Sequence, residues 1–219
     1  MTSRRDVVLG CGAALCLSAA GPAPDPRNMV FRISRHGRAI GTHAFEFVRD
    51  GAALTVTIAV DIAAGLGPIV FYRYRHRAVE RWRGETFESL DAETNDDGKR
   101  SVVSMHRDGA VVRVAHSGGP DYDAPGNALP ATHWNRRMLA GPMINNQTGA
   151  LMRPSIASLG LETLDLPGGA VRAEHLTLRG DADLDTWYDA LGAWMALRFT
   201  AKDGTEIRYE RQGNRAKEQ

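Results

Sequence analysis

The sequence predicts an all-β protein in which consecutive strands form an antiparallel meander. Four Asp-Gly pairs stand between segments rich in Val, Thr, Phe and Tyr, and Asp-Gly favours the tight turns of β-hairpins. A sheet of about a dozen strands leaves long exposed edges unless it curls. We therefore expect a strongly curved sheet or an open, incomplete barrel. The four pairs are Asp50-Gly51, Asp97-Gly98, Asp108-Gly109 and Asp203-Gly204.

Side-chain alternation tests the register of these hairpins. A two-residue turn at Asp50-Gly51 pairs Phe47 with Leu54 and brings the neighbouring apolar residues onto one face. Around Asp203-Gly204 the apolar residues do not sort onto one face, so the sequence supports that pairing less. The turn at Asp108-Gly109 gathers an apolar face made of Val103, Met105, Val112 and Val114.

The predicted strands form two groups separated by residues 118–154, here called the Pro-rich segment. Prolines at positions 120, 125, 130, 142 and 154 exclude one continuous strand there. We predict a short helix over 132–139 with Thr132 as its N-cap, and expect the segment to cover one mouth of the barrel. The predicted strands are 29–34, 39–49, 52–62, 69–82, 85–95, 99–107, 110–116, 158–166, 170–179, 183–189, 194–201 and 205–211.

Residues 1–20 have the pattern of a cleavable export signal. Paired arginines at positions 4 and 5 precede an apolar run that ends at Leu17, and small residues follow. The pair is similar to a twin-arginine signal, so we expect a periplasmic protein. The competing hypothesis is a lipoprotein anchored at Cys11, although the segment between the arginines and Cys11 is short for an apolar run.

Cleavage after position 20 would remove both cysteines and leave one β domain, residues 21–211, without a disulfide or thiol. Residues 212–219 form a predicted polar tail. The formal net charge of +1 argues against a nucleic-acid partner, which usually needs a basic excess. No apolar stretch after the leader is long enough to span a bilayer.

No familiar catalytic or cofactor motif stands in the sequence. There is no phosphate loop, dinucleotide fingerprint or hydrolase elbow, and the seven histidines lack metal-ligand spacing. We therefore predict no cofactor and no metal. The sequence does not predict an oligomeric state.

The first candidate site lies on the predicted strand 69–82. A turn at Arg83-Gly84 would place His76 opposite Asp91, whose carboxylate could raise the pKa of the histidine. The alternative is an amphipathic outer strand with solvated arginines. The inward face would carry Tyr72, Tyr74, His76, Ala78, Glu80 and Trp82, and the outward face Arg73, Arg75, Arg77 and Arg81.

The second candidate site lies in the Pro-rich segment, where His133, Trp134 and Asn135 are adjacent. Functional side chains are often carried on loops above a rigid sheet. The alternative is structural, with Trp134 closing the end of the barrel. A third aromatic cluster, around Trp187, is predicted to be core because large aromatic residues dominate burial in such sheets.

The His133 cluster, the Trp187-Tyr188-Asp189 triplet and the Tyr-rich strand together resemble an exported proteobacterial family. It is the domain-of-unknown-function family numbered 6134, and the resemblance covers residues 29–211. That family implies no catalytic residues. A looser similarity of architecture links the chain to curved-sheet envelope proteins that carry lipids or lipoproteins.

These observations favour a periplasmic binding or carrier protein for an apolar or amphipathic, lipid-like ligand. The candidate ligand-binding residues are Tyr72, Tyr74, His76, Trp82, Asp91, His133, Trp134 and Asn135. One alternative is a cofactor-free envelope enzyme with His133 or His76 as general acid or base. Another is a scaffold that meets protein partners through an exposed sheet edge.

Overall fold

The structure is a computed structural model that describes residues 28–66 and 69–213. The predicted leader, its lipidation site and both cysteines lie outside the described residues, as does most of the predicted tail. No helix in the described part of the chain combines the length and the apolar character needed to cross a membrane.

The described residues form sixteen β-strands and one 3₁₀ helix, Arg136–Ala140. The first eight strands are β1 (Met29–Arg35), β2 (Arg38–Asp50), β3 (Ala53–Leu66), β4 (Ile69–Arg83), β5 (Thr86–Asp96), β6 (Lys99–Asp108), β7 (Val111–His116) and β8 (Tyr122–Pro125). The others are β9 (Leu129–Pro130), β10 (Met143–Ile144), β11 (Leu151–Met152), β12 (Ser155–Leu166), β13 (Gly169–Arg179), β14 (Leu184–Asp189), β15 (Trp194–Thr200) and β16 (Glu206–Arg211).

Thirteen strands form one antiparallel sheet in the order β12 to β16 followed by β1 to β8. β1 therefore pairs with β16 in the middle of the sheet, while β8 and β12 are its edges among the described residues. Val114 of β7 and Leu176 of β13 belong to the same buried cluster although many strands separate them. Such a contact requires a strongly curved sheet. The predicted all-β, open-barrel fold class is confirmed.

The two edges do not close a barrel because the β12–β13 hairpin overlaps the outside of the sheet. Leu164 of this hairpin packs against the cluster of Trp187, on the outer face of β14, and Glu162 accepts a hydrogen bond from the Trp187 indole. The hairpin tip reaches the end of β16, where a Cβ on Gly168 would lie 2.8 Å from Cα of Gly213. The sheet is thus an open spiral. Trp187 is buried as predicted, but in a small outer cluster.

The hairpins keep their predicted faces with a different register. Gly51 and Ala52 form the first turn, so Phe47 pairs with Val56 instead of Leu54. A shift of two residues preserves the face because side chains alternate with a period of two. The hairpin at Gly109 shows the same shift. In these turns glycine with positive φ takes the first central position, as in type II′ turns.

The helix predicted over 132–139 is wrong at its N-terminus. The observed 3₁₀ helix begins at Arg136, and Asn135 is its N-cap, because the Asn135 side chain accepts a hydrogen bond from the Arg137 amide. His133 has a φ of 67°, a left-handed conformation that cannot continue a helix from Thr132. Asn135 therefore has a capping role.

The Pro-rich segment runs along the concave side of the sheet and is not confined to one mouth of the barrel. Arg137 donates to the carbonyl of Glu85 in the β4–β5 turn, whereas Ser101, toward the other end of the sheet, donates to the carbonyl of Gln147. Between these points Ile144 of this segment is fully buried in the main core cluster. The segment therefore fills the interior of the spiral.

Candidate binding site

The inward face of β4 carries the alternating row that the sequence predicted. Tyr74, His76, Glu80 and Trp82 point toward the concave side, where His76, Glu80 and Trp82 are almost completely buried. The arginines of β4 point outward; Arg77, for example, binds both carboxylate oxygens of an outer-face aspartate at 2.8 Å. The strand thus separates an interior row from a charged exterior.

The predicted contact between His76 and Asp91 is wrong. Gly84, with a φ of 56°, and Glu85 form the β4–β5 turn, and a bulge at Glu88 of β5 follows, so His76 pairs with Thr94. The combined shift is an odd number of residues, which moves Asp91 to the outer face. There Asp91 lies 3.4 Å from a guanidinium nitrogen of Arg81.

A buried carboxylate that the sequence did not single out joins Trp82 to Trp134. Oε2 of Glu80 accepts hydrogen bonds from the indole of Trp82 at 2.8 Å and from that of Trp134 at 3.0 Å. Burial raises the pKa of Glu80 to about 6. Hydrogen bonds from Thr132 and the two indoles act in the opposite direction but do not outweigh burial. In the sequence, Glu80 was recognisable only as a carboxylate between Ala78 and Trp82 on the predicted inward face.

The two candidate catalytic histidines, His76 and His133, are buried and half-buried respectively, and neither contacts a carboxylate of the described residues. Nδ1 of His76 lies 2.9 Å from the hydroxyl of Thr94, and its Nε2 lies 3.0 Å from the amide of Asn146. The His133 ring stacks on Trp194 with centroids 5.1 Å apart. Burial lowers the pKa of each histidine to about 4. Both side chains therefore stabilise the attachment of the Pro-rich segment.

His43 is a third buried histidine, which the sequence placed on an apolar face. Its ring lies 4.3 Å from that of Phe45 and 5.6 Å from that of Trp194, centroid to centroid. Neither ring nitrogen has a hydrogen-bond partner. Burial, reinforced by the charges of His76 and His133, holds its pKa well below the usual value.

The β3–β4 hairpin extends beyond the neighbouring strands as a two-stranded arm, here defined as residues 63–66 of β3 and 69–72 of β4. β2 pairs with β3 only as far as Ile62, and β5 pairs with β4 only as far as Tyr74. Tyr72 lies on the arm, and burial followed by a hydrogen bond to Asp96 raises the pKa of its hydroxyl. Phe71 of the arm is 65% exposed.

A hollow of about 550 Å³ opens at the base of the arm and is here called the arm hollow. It is lined by apolar residues and by a row of directly paired polar residues from β2 to β5. The apolar residues are Ile40, Ile62, Ala63 and Tyr74, and the polar ones are Thr42, Asp61, Arg75 and Asn95, joined by Arg73 and Asp97.

The structure divides the predicted site residues among separate places. Trp82 and Trp134 meet at Glu80, and His133 directly precedes Trp134 in the chain. The two tyrosines belong to the arm and its hollow. Asp91 and Asn135 join neither group. No cluster of three or more His, Cys, Asp or Glu suited to a metal ion occurs within residues 28–66 and 69–213.

The fold and the hollow define a class of barrel-like, antiparallel β proteins with a packed interior and a surface site. Within that class, the chain belongs to the family described as Domain of unknown function (DUF6134), whose family model matches residues 31–212. The predicted family is thereby confirmed. No curated protein has significant similarity to the sequence.

A similar solved structure is the crystal structure of a β-barrel-like protein of domain of unknown function DUF1849 from Brucella abortus. The TM-score is 0.59 at 8% sequence identity, and the match covers 85% of this chain and 95% of the other. At this identity the likeness concerns the fold. A barrel-like fold of this kind is compatible with ligand binding.

Proposed function

We propose that this protein is an exported envelope protein that binds or carries an amphipathic, lipid-like ligand in the arm hollow. The leader pattern in residues 1–20 supports export to the periplasm. The observation that supports binding is the hollow itself. Its volume, about 550 Å³, falls within the range of small-molecule sites.

The lining of the arm hollow indicates the chemistry of its ligand. The lining combines the apolar residues Ile40, Ile62 and Tyr74 with the guanidinium groups of Arg73 and Arg75, beside the carboxylates of Asp61 and Asp97. Guanidinium groups suit carboxylate and phosphate oxygens. The ligand would therefore combine an apolar body with an anionic head.

The packed interior favours a site at the end of the sheet over one inside the spiral. Phe31, Leu90 and Ile144, which come from distant parts of the chain, are fully buried in one continuous cluster. A lipid chain inside the spiral would have to displace this packing. The arm hollow can be reached without such a rearrangement.

The same geometry gives less support to an enzyme. General acid–base catalysis needs a titratable group within hydrogen-bond reach of the substrate. His76 is buried and His133 is half-buried, and each is engaged by hydrogen bonds or ring stacking inside the fold. Neither side chain faces the arm hollow, so binding is the better-supported function.

Native mass spectrometry of protein isolated from the cells that make it tests the proposal directly. We expect a copurified amphiphile, and we expect lysophosphatidylglycerol to bind the emptied protein more tightly than dodecyl maltoside, which has no charge. Ala63→Trp, which fills the hollow, should weaken lysophosphatidylglycerol binding at least tenfold. Ala52→Trp, in the exposed β2–β3 turn, is the matched control. Equal binding by both variants would refute the site.

A further inference from the structure

We propose that the β3–β4 arm docks this protein on the surface of a lipid bilayer. Past Ile62 and Tyr74 no other strand of the described chain pairs with the arm. Val70 and Phe71 are 39% and 65% exposed there. An apolar element that stands clear of its own domain marks an interaction site.

The distribution of charge indicates a lipid occupant. The eleven residues 62–72 contain no charged side chain, whereas Asp61 and Arg73 bound this stretch on its two strands. Ala63 and Ala64 of β3 point to different faces of the arm. Their partners on β4 are Arg73 and Tyr72, and polar side chains begin at this level. A protein partner would normally cover one face, whereas an arm uncharged on both faces beyond this level suits an apolar solvent on all sides.

The base of the arm has the composition of a membrane interface. Tyr72 stands at the boundary, where the amphipathic ring of tyrosine is favoured. Below it lie charges of both signs, which would remain among the lipid head groups and limit the depth of insertion. These charges are Asp61, Arg73, Arg75, Arg77, Asp96, Asp97 and Lys99.

The length of the arm fits a surface attachment. From Ile62 to Leu66 the strand advances roughly 13 Å, at about 3.3 Å per residue. The hydrocarbon core of a bilayer is about 30 Å thick. The arm can thus enter one leaflet beneath the head groups but cannot cross.

Flotation of the protein, isolated from the cells that make it, with vesicles of phosphatidylethanolamine and phosphatidylglycerol tests the proposal. Phe71→Ser should lower the bound fraction at least fivefold. Leu191→Ser is the matched control because Leu191 is 77% exposed in the β14–β15 turn, at the opposite end of the sheet. Because insertion is mainly apolar, most binding should persist in about 0.5 M salt, where the Debye length is only about 4 Å and charge interactions are screened.

Phe71→Trp supplies a second readout that does not depend on loss of binding. Its added fluorescence should shift to the blue and be quenched by spin labels placed high on the acyl chains. The proposal is overturned if Phe71→Ser floats like the wild type, or if Phe71 instead supports a concentration-dependent dimer without vesicle binding. Phe71 does not line the arm hollow. Phe71→Ser should therefore retain lysophosphatidylglycerol binding, which separates this proposal from the proposed function.

Discussion

The indole nitrogen of Trp134 lies 3.0 Å from Oε2 of Glu80, the oxygen that also accepts a hydrogen bond from Trp82. One carboxylate oxygen thereby joins the Pro-rich segment to β4. The other oxygen, Oε1, is buried without a partner. The two hydrogen bonds to Glu80 therefore stabilise the fold, whereas burial of its negative charge destabilises it.

Replacing Glu80 by Gln should stabilise the protein at alkaline pH. The folded-state pKa, about 6, exceeds the usual 4.5, so between these values the native chain holds a proton that the unfolded chain has lost. Stability contributed by this group is therefore lost as pH rises through about 6. Glu80→Gln keeps an acceptor oxygen and should raise the free energy of unfolding at pH 8 by about 2 kcal/mol.

Urea denaturation at pH 8 and pH 4.5 checks this prediction, since the difference should disappear at the lower pH. Glu80→Ala should instead destabilise the protein by about 2–4 kcal/mol, because it leaves two buried indole donors unpaired. Glu93→Gln, on the exposed face of β5, is the matched control. A Gln variant less stable than the wild type at pH 8 would contradict the account.

The buried histidines should make the fold sensitive to acid. The folded-state pKa values of His76 and His133, about 4, lie below the usual 6.5, so the unfolded chain takes up protons first as pH falls. Stability is fully present above pH 6.5 and is lost toward pH 4. We expect the free energy of unfolding to fall by several kcal/mol, on the order of 1.4 kcal/mol per unit of pKa difference for each histidine.

His43→Phe should reduce part of this acid sensitivity. The substitution removes two unpaired ring nitrogens from an aromatic cluster, and it should stabilise the protein by about 1–2 kcal/mol at pH 7 and by more at pH 5. His106→Phe, at an exposed position of β6, should leave the pH profile unchanged. Thermal unfolding across this pH range measures both variants, and parallel profiles for His43→Phe and wild type would count against the prediction.

Much of the fold follows from local pattern, whereas the site depends on register. The faces of Phe45 and Met105 could be predicted because alternation survives a shift of two residues. The position of Asp91 could not, because a bulge in β5 changes the parity of the pairing. Glu80 was visible only as an inward carboxylate, since its partner Trp134 arrives from a segment more than fifty positions away.

The arm hollow was even less accessible to sequence reasoning. The sequence indicated a Tyr-rich wall on β4, and Tyr74 does line the hollow. It did not indicate that the pairing with β2 and β5 stops at Ile62 and Tyr74, which leaves the arm without neighbouring strands in the described chain. The outer overlap of the β12–β13 hairpin is likewise a property of the curvature of the whole sheet.

Gly41→Ala should be the most damaging small substitution near the arm hollow. A Cβ at Gly41 would lie 2.1 Å from the backbone oxygen of Asp61, so β2 and β3 would have to separate. We expect a loss of about 3 kcal/mol or more in chemical denaturation. At Gly109 a Cβ meets nothing within 4 Å, and Gly109→Ala should cost only about 1–2 kcal/mol for its positive φ. Similar losses for both variants would contradict the close approach.

Trp187→Ala should release the β12–β13 hairpin while leaving the main core folded. The indole stacks on His175 with centroids 4.3 Å apart and donates to Glu162, and both residues belong to the hairpin. Amide hydrogen exchange should accelerate in residues 160–172 and stay unchanged around Phe31. Leu161→Ala, at an exposed position of β12, serves as the comparison. Uniform acceleration across the sheet would show that the hairpin does not open on its own.

The pairing of β1 with β16 limits the order in which the strands of the sheet can pair. Arg32 and Glu210 form an ion pair across these strands although they are 178 positions apart. The first strand gains its second neighbour only after β16, the last strand of the described residues, has been synthesised. Contacts of such high sequence separation slow folding, so completion of the sheet is a late folding step. A chain interrupted before Glu206 would leave β1 and β15 as two new, unprotected edges in the centre of what should be a continuous sheet.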